Sequence, residues 1–203
     1  MRLGIFGGSF DPVHYGHLLL AESCREQMRL DRVLFVPAGT PPHKQGQAQT
    51  PAAQRLEMLA LAIGGHPAFE VSSLEIDRGG VTYTVDTLEG LRAERPEDEL
   101  FLLLGADMFA DLPNWREPRR VVELALPVVV RRPGAPAADD DVLRLLTSPE
   151  RCAAARAAQV QMPLVGFSSS EIRLRVSEGR SIRYWTPRAV EKYIEVYGLY
   201  MVH

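Results

Sequence analysis

His14 and His17 stand three residues apart at the end of Gly7-Gly8-Ser9-Phe10-Asp11-Pro12-Val13-His14-Tyr15-Gly16-His17. Two imidazoles at that spacing, where a loop turns into a helix, can face one ligand and donate hydrogen bonds to phosphate oxygens. The glycines let backbone amides approach the same anion, and the N-terminus of the following helix adds partial positive charge. A pair of helix-capping histidines is the plainer reading of such a pair, and Asp11-Pro12 alone would mark only a turn. As a zinc site the pair lacks a third Cys, His or carboxylate at suitable spacing. A second group with anion chemistry lies near the C-terminus. Ser168-Ser169-Ser170-Glu171-Ile172-Arg173 sets hydroxyls at a helix start and a guanidinium one turn later, which suits phosphate oxygens. Ser168 and Glu171 also have capping-box spacing, and Arg173 alone could be a solvated helix residue.

The elements that must position these groups alternate. Residues 2–6 make a short apolar strand, 7–15 a Gly/Pro-rich turn, and Leu18, Leu19, Ala21, Cys24 and Met28 fall at helical spacing. A second strand, 32–36, ends at Pro37, so the first 37 residues read as a βαβ unit with parallel strands. Thr50-Pro51 predicts an N-cap and first helical position for a helix reaching Ile63. Further strands are expected near 69–74, 100–104 and 126–130, with helices at 84–93 and 118–124. Residues 133–141 read as a mobile surface loop, and Pro163–Phe167 as a last short strand. Helices follow from Ser168 and from Thr186-Pro187, the latter ending at Gly198. Strand-helix alternation of this kind predicts an α/β, Rossmann-like doubly wound parallel sheet with helices on both faces. Ligands of such sheets bind beyond the carboxyl ends of the strands, where both anion-binding segments belong. The expected organisation is one domain over 1–203, with 168–203 a mainly helical C-terminal part.

Composition narrows the classes further. With 46% hydrophobic residues and 24% charged residues over 203, the chain is neither disordered nor fibrous. Its net charge of −3 argues against wrapping nucleic acid, so a polyanionic ligand must be held locally. No apolar run reaches the length of a membrane span or a secretory signal. Cys24 and Cys152 lie far apart and form no CxxC pair, which excludes a disulfide framework and fits a reducing, cytoplasmic setting. Lys44 and Lys192 are the two lysines among 23 basic residues, which singles out Lys44 in a loop after the second strand.

The first segment resembles the GxFDPxHxGH signature of the nucleotidyltransferase superfamily, matching Gly8, Phe10, Asp11, Pro12, His14, Gly16 and His17. The resemblance implies that His14 and His17 bind the triphosphate of ATP or CTP and steady the charge on departing pyrophosphate. Gly7, Gly8, Ser9 and Phe10 complete the nucleotide loop. The second segment resembles the superfamily's SSTxxR motif, with Ser170 in the Thr position, and so assigns Ser169, Ser170 and Arg173 to ATP. Phosphopantetheine adenylyltransferases carry Thr in the place of His14, which counts against them. Class I aminoacyl-tRNA synthetases need a second lysine-rich motif that is missing here.

From residue 4 to about residue 200 the chain is similar to the bacterial nicotinate-nucleotide adenylyltransferases. Pro41-Pro42-His43-Lys44 would place a cation and an imidazole on a crevice-side loop for an acceptor phosphate. Thr82-Tyr83-Thr84-Val85-Asp86-Thr87-Leu88 resembles the family's SYTxDTL, which implies that Tyr83 and Thr84 help hold the nicotinate ring. Gly105 and Asp107 match a GxD that contacts the adenosine. Trp115 falls where the family stacks a ring on the pyridine, and Arg132 where an arginine reaches the acceptor phosphate. Asp11 joins His43, Lys44, Tyr83, Thr84, Trp115 and Arg132 as the expected acceptor set, with His17 and His14 as the catalytic pair. The implied reaction joins ATP and nicotinate mononucleotide to give deamido-NAD and pyrophosphate. Mg²⁺ is expected to enter with ATP rather than in a protein cage. Rival readings are transfer to another phosphate acceptor, such as nicotinamide mononucleotide, and a non-catalytic nucleotide sensor. No feature of the sequence sets an oligomeric state.

Overall fold

In strand β1 (Arg2–Gly8), Leu3 and Ile5 enter one apolar cluster and Phe6 another, as the two-residue period of a strand requires. The same division repeats in β2 (Arg32–Pro37), where Val33 and Phe35 oppose Leu34 and Val36. These strands are apolar on both sides because helices cover both sides. The structure, a computed structural model, describes residues 1–40, 49–131 and 140–201. Between the first two strands runs α1 (Tyr15–Gln27). Next come α2 (Ala52–Ile63), β3 (Phe69–Val71), α3 (Leu74–Arg78), α4 (Thr84–Glu94) and β4 (Glu99–Gly105). Helix α5 (Ala106–Asp111), a 3₁₀ turn over Leu112–Asn114, α6 (Pro118–Leu124) and β5 (Leu126–Arg131) follow. The chain continues through α7 (Asp140–Arg144), α8 (Pro149–Ala157), β6 (Gln159–Gln161), α9 (Ser169–Ser177) and α10 (Arg188–Tyr197).

All described strand pairs are parallel, in the order β3-β2-β1-β4-β5-β6. The order reverses at β1, so the carboxyl ends of β1 and β4 flank the switch-point crevice. Helices α1, α2, α9 and α10 contribute to the cluster on the Phe6 side, and α4 to α8 to that on the Leu3 side. Gly198 adopts a left-handed φ of 61° and ends α10 as expected.

Several expectations shift. Pro163–Phe167 forms no strand: Leu164 is 71% exposed, and the sixth strand lies just before it at Gln159–Gln161. An edge strand of two glutamines around one buried valine has no apolar pattern to betray it. Strand β3 stops at Val71, where the third and fourth residues after it open α3. Pro51 rather than Thr50 is the N-cap of α2, and no side chain caps it. Of the expected surface loop at 133–141, residues 133–139 lie outside the described residues, and Asp140 begins α7.

Candidate active site

The loop from β1 into α1 is built from its own packing. An added Cβ on Gly8 would meet the Phe10 ring at 3.1 Å, so the turn needs a glycine to let that ring fold beneath it. Phe10 has a positive φ of 47° and is buried, edge-on to Phe6 at 5.3 Å and to His17 at 5.0 Å between ring centres. Its side chain therefore props the His17 imidazole from the core. Within the nucleotide loop, Phe10 can therefore offer a ligand its backbone but not its ring.

His14 is the N-cap of α1 and His17 its third helical residue. Their rings stack at 3.8 Å, and the His14 backbone N–H donates to His17 Nδ1 at 3.2 Å. An Nδ1 that accepts a hydrogen bond carries no proton, which leaves the proton of a neutral ring on Nε2 as a donor. Burial lowers His14 to about 4, and burial followed by the neighbouring His14 holds His17 well below the usual histidine range. Both rings are neutral donors at neutral pH. His14 Nδ1 is buried and has no hydrogen-bond partner among the described residues, a polar atom lacking its complement there.

The second cluster closes onto this loop from the other end of the chain. Ser168 caps α9, its Oγ accepting from the Glu171 N–H at 3.1 Å. Ser169 Oγ donates to the Pro12 carbonyl at 2.9 Å, so its proton serves the fold. Arg173 donates through Nη1 to the Asp11 carbonyl at 2.7 Å and through Nη2 to Ser170 Oγ at 3.2 Å. Ser170, exposed and already accepting from Arg173, keeps its own O–H to donate. Thr186 Oγ1 donates to the Val13 carbonyl at 2.7 Å, and the Tyr15 N–H to the Trp185 carbonyl at 3.2 Å. Trp185 itself packs against Phe167 and under Arg175, as a structural residue.

Asp11 departs from its expected role. The residue is buried, with Tyr200 donating to Oδ1 at 2.6 Å and the Thr50 N–H to Oδ2 at 3.3 Å, so the carboxylate organises the loop instead of standing free for an acceptor. Gly105 ends β4 as the N-cap of α5, placing an exposed Asp107 in its first turn beside the crevice. Tyr83 caps α4 ahead of Thr84, and its ring lies 4.6 Å beneath the Arg116 guanidinium. Trp115, the neighbour of Arg116, packs half-buried on the Leu3-side cluster as Tyr83 does, its indole N–H donating to Asp111 at 3.2 Å. Tyr83 and Trp115 thus share one face of the sheet. The Thr82 N–H donates to the Thr40 carbonyl at 3.2 Å, which ties their turn to the end of β2. His43, Lys44 and Arg132 lie outside the described residues. No group of three or more His, Cys, Asp or Glu among the described residues could hold a metal ion.

The sequence singled out Thr186 only as the start of a helix, and Arg55 not at all. For Arg55 a signal existed: it opens the buried stripe Arg55, Met58, Leu59, Ile63 of α2, and a charged residue on an apolar face demands a reason.

A donor-rich loop at the switch point of a parallel sheet, covered by a second set of donors, defines a nucleotide-binding α/β protein. A family model described as cytidylyltransferase-like matches residues 5–175. The chain is 50% identical over 200 residues to a probable nicotinate-nucleotide adenylyltransferase of Thermus thermophilus, covering 98% of this chain and 100% of that one. It is 49% identical over 199 residues to one of Thermomicrobium roseum, covering 98% and 91%. In fold it matches a Plasmodium falciparum nicotinic acid mononucleotide adenylyltransferase complexed with NaAD, with a TM-score of 0.74 at 19% identity, over 98% of this chain and 97% of that one. The chain belongs to the cytidylyltransferase-like family and, within it, to the nicotinate-nucleotide adenylyltransferases.

Proposed function

We propose that the protein transfers the adenylyl group of ATP to nicotinate mononucleotide, releasing pyrophosphate and forming deamido-NAD for NAD biosynthesis. The observation that carries this reading is the bond from Arg173 to the Asp11 carbonyl. It seats a guanidinium beside the loop bearing His14 and His17, and the donors from both ends of the chain then converge on one polyphosphate.

An acceptor phosphate oxygen attacks the α-phosphorus in line, and the bond from that phosphorus to the bridging oxygen breaks, leaving its electron pair on pyrophosphate. The nucleophile is already anionic at neutral pH, so the chain has no proton to remove. Its work is to orient two phosphates and stabilise charge on the leaving group. His17 Nε2–H and His14 donate to the triphosphate, and Ser170 O–H and Arg173 grip its far end. Gly105 and Asp107 take the adenosine, while Tyr83, Thr84 and Trp115 take the pyridine. His43, Lys44 and Arg132 supply cationic or hydrogen-bonding heads for the acceptor phosphate. Mg²⁺ arrives on ATP as part of that substrate. No helix among the described residues is long and apolar enough to cross a membrane, which is compatible with work in the cytoplasm.

The deciding experiment supplies Mg-ATP with nicotinate mononucleotide, nicotinamide mononucleotide or phosphopantetheine, and CTP with glycerol phosphate, and follows pyrophosphate. Fastest release with nicotinate mononucleotide is expected. Faster release with any other pair would reassign the acceptor, and silence throughout would leave a nucleotide sensor.

A further inference from the structure

Arg55 is 1% exposed and lies one helical turn into α2. Its guanidinium donates to four backbone carbonyls: Nη1 to Ser9 at 2.8 Å, Nη2 to Ala38 at 2.7 Å and Gly39 at 3.2 Å, and Nε to Thr50 at 3.0 Å. Burying a guanidinium is costly, and a carbonyl returns less than a carboxylate would. Packing alone would be served better by an apolar side chain of the same volume. What the guanidinium does that no apolar side chain can is to hold three separate stretches of main chain at fixed separations.

Those stretches are the ones that the transfer has to align. Ser9 belongs to the nucleotide loop. Thr50, whose carbonyl Arg55 holds, donates its own N–H to Asp11 of that same loop. Ala38 donates to the Gly8 carbonyl at 2.9 Å, and Gly39 packs so closely on α3 that an added Cβ would stand 2.9 Å from the Glu75 carbonyl. Thr40 then pairs with Val81 and accepts from the Thr82 N–H, at the turn that leads into Tyr83 and Thr84. Hydrogen bonds joined by the short main-chain stretch 38–40 therefore connect the nucleotide loop, through one side chain, to the turn assigned to the acceptor.

We propose that Arg55 is a positioning residue for adenylyl transfer, fixing the nucleotide loop relative to the acceptor turn so that the attacking oxygen and the α-phosphorus meet in line. This rests on the transferase reading given above. The forked, planar donor set is essential to it, and a lysine, with one ammonium on a flexible stem, cannot reach Ser9, Ala38 and Thr50 together.

The test compares wild type, Arg55→Lys and Arg55→Met with Ile63→Ala, a core truncation at the other end of α2, in the full chain. Pyrophosphate release gives kcat and KM for both substrates, thermal melts give stability, and amide exchange reports each loop. Misalignment of about an ångström costs on the order of 100-fold, so Arg55→Lys should lose about 10- to 100-fold in kcat. The KM values should move by less than about threefold, because each half of the site still binds its own substrate. Ile63→Ala should lower the melting temperature with kcat unchanged. Amide exchange in residues 8–13 and 38–40 should rise in Arg55→Lys while β5 and α6 keep wild-type protection. An unchanged kcat in Arg55→Lys, or an equal kcat loss in an Ile63→Ala protein of matched melting temperature, would overturn the proposal. So would unchanged exchange in those two loops, a readout that needs no turnover. If Arg55→Met does not fold, the lysine variant decides. If wild type uses a different acceptor, the acceptor assignment fails and the kcat comparison is made with that acceptor. If wild type releases no pyrophosphate with any acceptor, both the transferase reading and the role built on it fall.

Discussion

The backbone of His14 determines which nitrogen of His17 carries a proton, and this is the smallest scale at which the fold does chemistry. With Nδ1 accepting and the Phe10 ring edge-on, the imidazole presents Nε2–H in one orientation before any ligand arrives. In the proposed transfer, a donor held in place in this way would need no reorganisation as pyrophosphate leaves. In a variant that still folds, replacing His17 by Ala should therefore reduce kcat by at least ~100-fold, the scale of losing one transition-state donor. Pyrophosphate release by the folded variant at a near-normal rate would remove His17 from the transfer step. The same burial has a second consequence. His14 is held down to about 4 against an ordinary 6.5, so between those values the unfolded chain binds a proton that the folded chain refuses. Stability then rises with pH across that window and is lost as pH falls through it, by up to about 3 kcal/mol for a shift of this size. Denaturant unfolding at pH 7 and pH 4.5 should show the loss, and His14→Asn should remove much of it. A pH dependence identical in the variant would mean that other groups are responsible.

Among the elements, α9 and the turn before α10 act as a brace on the nucleotide loop. Thr186 is buried, and its bond to the Val13 carbonyl joins that turn to the residue before the first histidine. Thr186→Val keeps the shape and strands the carbonyl, which should cost about 1–3 kcal/mol of stability. It should also raise KM for ATP, because the loop loses one of its fixed ends; thermal melts and initial rates check both, and an unaltered melt would show that the bond is dispensable. What the sequence revealed of these elements follows the same physics. Strands β1, β2, β4 and β5 carry long apolar runs and were legible, as were α1, α2 and α4, whose buried residues recur at helical spacing. Helix α10 announced itself by Pro187 and Gly198 at its two ends. Leu164, Val165 and Phe167 are apolar and suggest a strand at Pro163–Phe167, yet no described strand pairs with them, while the polar edge at Gln159–Gln161 pairs with β5. Helices α3, α5 and α7 span five or six residues, too short for periodicity to register. The two candidate phosphate segments were legible because their residue types suit phosphate chemistry, and the structure joins them through Arg173 and Asp11. The supports behind them were not: Arg55, Thr186 and Tyr200 matter through partners distant in the chain, which local spacing cannot display.

At the scale of the whole molecule, the site exists only when the two ends of the chain meet. The bonds that brace the loop join residues 157, 162, 173 and 189 positions apart. Contacts of such separation form at a high entropic cost and are repaid only in the folded state, so the nucleotide site and the global fold should be lost together. The most distant of them, from the Tyr200 hydroxyl to Asp11 Oδ1, offers the cleanest test. Tyr200 follows α10, and apart from this hydroxyl its ring packs on the Phe6-side cluster, so Tyr200→Phe keeps the apolar contact and removes one donor. Asp11 would then keep the Thr50 N–H but lose its short bond inside a buried setting, where an under-satisfied charged acceptor costs about 1–3 kcal/mol. For a chain of this length each kcal/mol lowers the melting temperature by about 2–4 °C, so a fall of several degrees is expected. Asp11 also receives Arg173 on its carbonyl, and a looser Asp11 should weaken ATP binding severalfold. Because Arg55 still spans the loops, kcat should stay close to wild type, and this separates the chain-end closure from the alignment attributed to Arg55. Melting curves and initial-rate kinetics on Tyr200→Phe decide the matter: an unshifted melt with an unchanged KM for ATP would show that the C-terminal tyrosine merely rests on a loop that is complete without it.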